Sequence, residues 1–223
     1  FLVEILRRKL RPGGVAYISY NCTPGWNPMI PLRDLLTRHV QNQSPEGATI
    51  GAKIDAALVF AEELRQLEAR FFKLNPATVE RLEKLREGNR NYLAHEYFNL
   101  DWNPMAFADV ASALSAAKLE FAASAHLADH IDVLNFPDPV SKRLDTIKDV
   151  GFRETVRDFW LNNQFRRDIF TRGARNLSPT DRLERLIDIP IALHLNRAVV
   201  KLEANGGLGL ITLRPDVHEP VLD

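Results

Sequence analysis

The chain has 223 residues, 45% of them hydrophobic and 26% charged, enough for one large or two small globular domains. That mix excludes a disordered or collagen-like polypeptide, and no apolar run reaches the roughly 20 residues of a membrane span. Twenty-nine basic side chains cancel 29 acidic ones, so no global field points toward nucleic acid or anionic lipid, and the lone Cys22 excludes an internal disulfide framework or a Cys-based zinc site.

Residues 1–10 read as a helix, with Leu2, Ile5, Leu6 and Leu10 at helical spacing and Arg7, Arg8 and Lys9 on the other side. The chain begins in the middle of that pattern with Phe1 and no Met, which is the pattern expected of part of a longer protein. Arg11-Pro12-Gly13-Gly14 ends the helix, and residues 15–20 are a β-branched and aromatic run expected as a buried strand. Helix, turn and buried strand are half of an α/β unit, and the turn-rich stretch 21–28 lies at the strand's carboxyl end, where ligands sit in open α/β sheets. Pro31 suits a first helical position ahead of 32–43, and Ser44-Pro45-Glu46-Gly47 is a break.

Residues 50–74 carry one long stripe, Ile54, Leu58, Ala61, Leu64, Leu67, Phe71 and Leu74. Asn75-Pro76 separates it from a helix marked by Val79, Leu82 and Leu85. Asn103-Pro104 is expected to start another helix, with Asn as its cap, and 119–122 to form a short strand. Phe136-Pro137-Asp138-Pro139 marks a boundary. Beyond it, 153–163 can form a helix with Val156, Phe159, Trp160 and Asn163 on one side. From about Ile189 the pattern becomes β. Asn205-Gly206-Gly207 between the apolar runs 198–202 and 208–213 predicts a hairpin.

Each candidate for chemistry has a plain structural counterpart. Gly206-Gly207-Leu208-Gly209 is the only glycine-rich loop, but a strand pattern follows it, so it reads as a hairpin turn and not as a phosphate cradle. His95-Glu96 opens like a zinc helix, yet position 99 is Asn, and His126 and His130 lack a strong third ligand; no metal is expected. Arg153, Arg157, Arg166, Arg167, Arg172 and Arg175 interleave with Glu154, Asp158 and Asp168, the pattern of a solvated helix face with i,i+4 pairs; no nucleic-acid partner is expected.

Tyr20, Asn21 and Trp26 make the first site candidate. Asn offers donor and acceptor, Gly25 permits close approach, and Trp gives a flat wall that a cation or methylated amine could face. A well-packed loop with a buried Trp would use the same residues. Tyr92, His95, Glu96 and Tyr97 are the second candidate, suited equally to a polar pocket wall and to a hydrogen-bonded interface.

Leu10-Arg11-Pro12-Gly13-Gly14-Val15 with Tyr17-Ile18-Ser19-Tyr20-Asn21 resembles the late helix and fifth strand of a class I S-adenosylmethionine-dependent methyltransferase. Pro24-Gly25-Trp26 and Pro31-Leu32-Arg33-Asp34-Leu35 resemble the linker into a methyltransferase regulatory domain. Tyr92-Leu93-Ala94-His95-Glu96-Tyr97, Asp109-Val110, 117–121, 153–159 and 165–168 resemble further signatures of that domain. The best-understood relatives are bacterial protein-lysine methyltransferases that modify outer-membrane proteins.

The resemblance implies an α+β chain in three parts. These are the C-terminal stub of an α/β methyltransferase domain (1–26), a mostly helical regulatory domain (27–128) and an α+β segment with a terminal hairpin (129–223). It implies S-adenosylmethionine as cofactor of the complete protein, a protein acceptor, a possible homodimer and a cytoplasmic setting, with which a single Cys is compatible. The glycine-rich loop that holds this cofactor lies early in such enzymes and has no match here, so the chain alone is not expected to bind it. A non-catalytic helical interaction or dimerisation module is the alternative, suggested by the amphipathic stretch 50–74.

Overall fold

The computed structural model describes residues 1–173 and 177–222, so Arg175 lies outside the described residues. The architecture is α+β and mostly helical, with a small antiparallel sheet and a C-terminal hairpin. The chain forms two compact units, 1–20 with 106–223, and 21–105.

Helix α1 (Leu2–Lys9) is the expected amphipathic helix, with Glu4 in its first turn bonded to Arg7 (2.8 Å) and Arg8 (2.5 Å) and basic residues in its last turn. The chain turns at Gly13, whose φ of 76° favours glycine, into β1 (Val15–Asn21). The strand is not buried on both faces as its composition suggests. It lies at the edge of its sheet, buries Ala16 and Tyr20, and leaves Val15 and Tyr17 58% and 55% exposed.

The unit 21–105 is helical: α2 (Met29–Gln43), α3 (Ile50–Gln66), α4 (Arg70–Leu74), α5 (Pro76–Glu87) and α6 (Arg90–Glu96). Thr49 caps α3 and Asn89 caps α6 by accepting backbone N–H bonds. Ile54, Leu58 and Ala61 of α3 pack with Leu32 and Leu36 of α2 and with Leu82 and Leu85 of α5 into one apolar core. The long 50–74 stripe is broken: Glu68 adopts a left-handed φ of 60°, ending α3 and leaving Leu67 and Leu74 exposed. The Thr23 amide donates to the Met105 carbonyl (3.3 Å) and the Met105 amide to the Asn21 carbonyl (3.0 Å), clasping the unit's first and last residues.

In the other unit α7 (Phe107–Ser115) begins after Ala106, not at Asn103-Pro104, because 103–104 lead instead into the backbone bridge that Met105 makes with Cys22. It precedes β2 (Leu119–Ser124), the short helices α8 (Asp132–Asn135) and α9 (Asp138–Asp145), α10 (Val150–Leu161) and β3 (Phe165–Arg172). The sheet order is β1-β3-β2. β2 and β3 pair antiparallel, Leu119 opposite Arg172 and Ser124 opposite Asp168, with an irregularity between Phe121 and Ala123. Phe107, Phe121 and Phe170 form the aromatic centre of this layer, with ring centroids 4.9 to 6.4 Å apart.

α11 (Pro179–Ile187) follows, and the β pattern expected from Ile189 is confined to β4 (Glu203–Gly206) and β5 (Gly209–Thr212). The hairpin turns at Gly207-Leu208, two residues later than Asn205-Gly206 suggests. Close approach explains the shift: the Gly207 amide donates to Asn135 Oδ1 (2.8 Å), the Leu208 amide donates to the Leu134 carbonyl (3.1 Å), and a Cβ on Gly206 or Gly207 would collide with Leu134 or Leu161.

Candidate functional site

The helical unit holds an aromatic cluster. Trp26 meets Tyr97 edge-on at 5.6 Å and Trp102 at 5.5 Å, and all three side chains are buried. A cation does face Trp26, and it belongs to the chain: the Arg81 guanidinium lies 4.9 Å from the ring centroid. Arg33 covers Trp102 at 5.1 Å and donates to the carbonyls of Tyr97 (2.9 Å) and Asn99, fixing the turn after α6. Burial pushes the Tyr97 phenol up and draws Arg33 down from their ordinary values. Among the described residues the buried Nε1 donors of Trp26 and Trp102 have no acceptor.

The structure thus brings Trp26 and Tyr97 together. Asn21 is held apart from that pair by its backbone carbonyl, which accepts from the Met105 amide. Tyr92, His95 and Glu96 are exposed, because α6 turns Leu93 and Ala94 toward the core. Tyr20 belongs to the other unit, where its hydroxyl donates to Asp168 Oδ2 at 2.7 Å. Burial first, then the Asp168 charge, raises that phenol far above its ordinary value.

Asp168 is part of a buried ion network at the wall of a cleft of about 360 Å³. Arg166 stands at its centre. Its guanidinium donates to Asp168 (2.8 Å), Asp158 (2.7 Å) and Glu154 (2.8 Å), and stacks 4.4 Å over Phe107. Arg157 bonds Asp132 (2.6 Å) and lies over Phe136. Burial opposes the Arg166 charge, but the Asp168 hydrogen bonds and the Asp158 and Asp168 charges outweigh it, so its pKa is raised. For Asp158 burial wins, and its pKa is raised despite Arg166 and Asn163.

This corrects the expectation of a solvated arginine face. α10 turns Glu154, Arg157 and Asp158 inward and leaves Phe159 77% exposed, with Trp160 also outside. The sequence contains a signal for this: charges at 154, 157 and 158 follow the i, i+3, i+4 spacing of a core stripe, and Arg166 and Asp168 alternate with Phe165 and Arg167 on β3. Of the cleft histidines, His126 Nδ1 lies 2.9 Å from Asp129 and His130 Nε2 lies 2.8 Å from the Ser124 carbonyl. Among the described residues no group of three or more His, Cys, Asp or Glu side chains is placed to hold a metal.

Residues 89–172 match the family described as "Predicted methyltransferase regulatory domain". That segment of the chain is similar to a methyltransferase regulatory domain. The matched segment runs from the cap of α6 through β3, and so includes Tyr97 and the whole buried ion network.

Over 222 residues the chain is 42% identical to the uncharacterized protein sll1526 of Synechocystis sp., covering 100% of this chain and 43% of that protein. It is 25% identical over 167 residues to the uncharacterized protein RP789 of Rickettsia prowazekii, covering 74% of this chain and 29% of that one. Among solved structures, PKMT2 from Rickettsia typhi is similar in fold, with a TM-score of 0.59 and 21% identity over 77% of this chain and 31% of that chain. PKMT2 in complex with AdoHcy gives a TM-score of 0.59 at 20% identity, over 76% of this chain and 32% of that chain. The chain therefore spans less than half the length of the relatives it matches. Among the described residues no helix is long and apolar enough to cross a membrane.

Proposed function

We propose that this chain is the regulatory, acceptor-side portion of a longer S-adenosylmethionine-dependent methyltransferase that acts on a protein, with a lysine side chain as the acceptor group and a cytoplasmic setting. The observation that carries the reading is the fold shared with PKMT2, solved with AdoHcy, the product left when S-adenosylmethionine loses its methyl group. In this reading residues 1–26 close an α/β sheet, 27–128 are the helical regulatory part and 129–223 the α+β segment. The exposed apolar side chains of the edge strand β1 support such a continuation, because an edge of this kind is a template for a further strand.

The glycine-rich turn at 206–209 is not shaped as a cradle for the cofactor. Leu134 and Leu161 already occupy the space against Gly206 and Gly207. In this reading the cofactor is held by another part of the complete enzyme. What this portion contributes is positioning: an ordered wall that orients an acceptor and excludes water. Trp26 and Tyr97 make the rigid part of that wall, with Tyr92, His95 and Glu96 as its solvent-facing contacts.

The test is calorimetric and kinetic. S-adenosylmethionine is titrated into the full-length polypeptide, and methyl transfer is followed for His95→Ala and Trp26→Phe. Both variants are expected to bind the cofactor as the parent does and to transfer methyl groups more slowly; undiminished transfer in both overturns the assignment.

A second reading, a non-catalytic interaction or dimerisation module, loses its original support, because the α3 stripe is consumed in the core of its own unit. It gains another: α11 buries none of its residues and exposes Leu183, Leu186 and Ile187. Sedimentation of the parent against Leu186→Glu decides it; a mass unchanged by the substitution removes this reading.

A further inference from the structure

The cleft beside α10 is lined by five carboxylates, Asp129, Asp132, Glu154, Asp158 and Asp168, and by four guanidinium groups, Arg153, Arg157, Arg166 and Arg167. With neutral histidines it carries one surplus negative charge. The carboxylates differ in how they are held. Asp129, at the half-exposed rim, accepts from the Ser124 hydroxyl (2.6 Å) and lies 2.9 Å from His126 Nδ1. Glu154 uses one oxygen on Arg166 and the other on Arg157, and both Asp168 oxygens bond Arg166. Asp132 divides its oxygens between Arg153 and Arg157. Asp158 accepts at Oδ1 from Arg166 and from Asn163 (3.0 Å), but its Oδ2 is buried with no partner among the described residues, on a residue only 2% exposed. An unsatisfied buried carboxylate oxygen calls for a missing donor.

We propose that this cleft is a binding site for a small free primary alkylammonium, whose N–H donates to Asp158 Oδ2 and whose stem lies against Phe121, Leu161 and Phe165. Three alternatives fit less well. A divalent cation needs several free oxygens, whereas the neighbouring carboxylates are already taken up by arginine. A guanidinium recognises a carboxylate through two parallel bonds, and only one oxygen is open here. An ammonium is a compact point charge that can use a single acceptor. The volume suits a small molecule and not a folded partner. This site is independent of the methyl-transfer reading.

The experiment titrates the full-length protein with n-butylammonium chloride at constant ionic strength, following the backbone amide shifts of Asp158, Leu161 and Arg166. Tetramethylammonium, a cation without N–H donors, is the control. Asp158→Asn removes a negative charge at constant shape, and Ala123→Leu adds bulk to the cleft wall at a residue that belongs to no ion pair. The expected result is saturable butylammonium binding, weakened about tenfold or more by each variant, with tetramethylammonium inert. Absence of saturable binding to the parent, variants that bind as tightly as the parent, or equal binding of tetramethylammonium overturns the proposal.

Discussion

Helices α3 and α10 both carry an apolar stripe at helical spacing, and they point it in opposite directions. α3 turns Ile54, Leu58 and Ala61 into its core, as the hydrophobic effect dictates. α10 buries Glu154, Arg157 and Asp158 and leaves Phe152, Phe159 and Trp160 exposed. Periodicity establishes that a helix has two faces, but the counter-charges available elsewhere decide which face goes in. For α10 they come from Arg166 and Asp168 on β3 and from Asp132 on α8. Burying these charges is tolerable only because nearly every oxygen has a guanidinium partner.

The sharpest way to break this contrast is to remove the hub. Arg166→Met should destabilise the protein by about 3–5 kcal/mol in chemical denaturation, because it strands buried carboxylates. A cost below about 1 kcal/mol would mean that the network is solvated after all. On the other side, Leu58→Ala opens a cavity in an apolar core and should cost about 2–5 kcal/mol by the same measurement.

Glu62 offers a pH test of a smaller effect. Its hydrogen bonds from Arg65 hold its carboxyl down at about 2, with Gln66 and the Arg65 and Arg86 charges adding to the effect. A carboxylate depressed in the folded state stabilises above its ordinary value of 4.5, and that contribution is lost as pH falls from there toward about 2. Glu62→Gln should therefore cost about 1 kcal/mol at neutral pH, with a difference from the parent that shrinks through that window. A pH-independent difference would contradict it. Smallest of all, Phe159→Ser should change stability by less than about 0.5 kcal/mol, since the ring faces solvent. A loss of several kcal/mol would place the apolar face of α10 inside.

Punctuation and alternation made parts of the fold legible. Pro12-Gly13 ends α1, Asn75-Pro76 starts α5, and the glycine cluster between apolar runs marks a hairpin. The break after α3 has no Gly or Pro to announce it; it depends on Glu68 taking a left-handed conformation. The start of α7 was obscured because Asn103-Pro104 has the form of a cap while Met105 is held in a backbone bridge to Cys22. At the site, Trp26 and Tyr97 were readable as aromatic candidates, but no local spacing could reveal that Arg81 already occupies the Trp26 face. Nor could it place Tyr20 on Asp168, 148 positions away.

The most direct test of the methyltransferase account is transfer of labelled methyl from S-adenosylmethionine by the full-length polypeptide to a bacterial outer-membrane protein fraction, with acid hydrolysis of the product. The account predicts label recovered as N-methylated lysine, reduced in His95→Ala while cofactor binding is retained. No label on protein from a polypeptide that demonstrably binds the cofactor would contradict it.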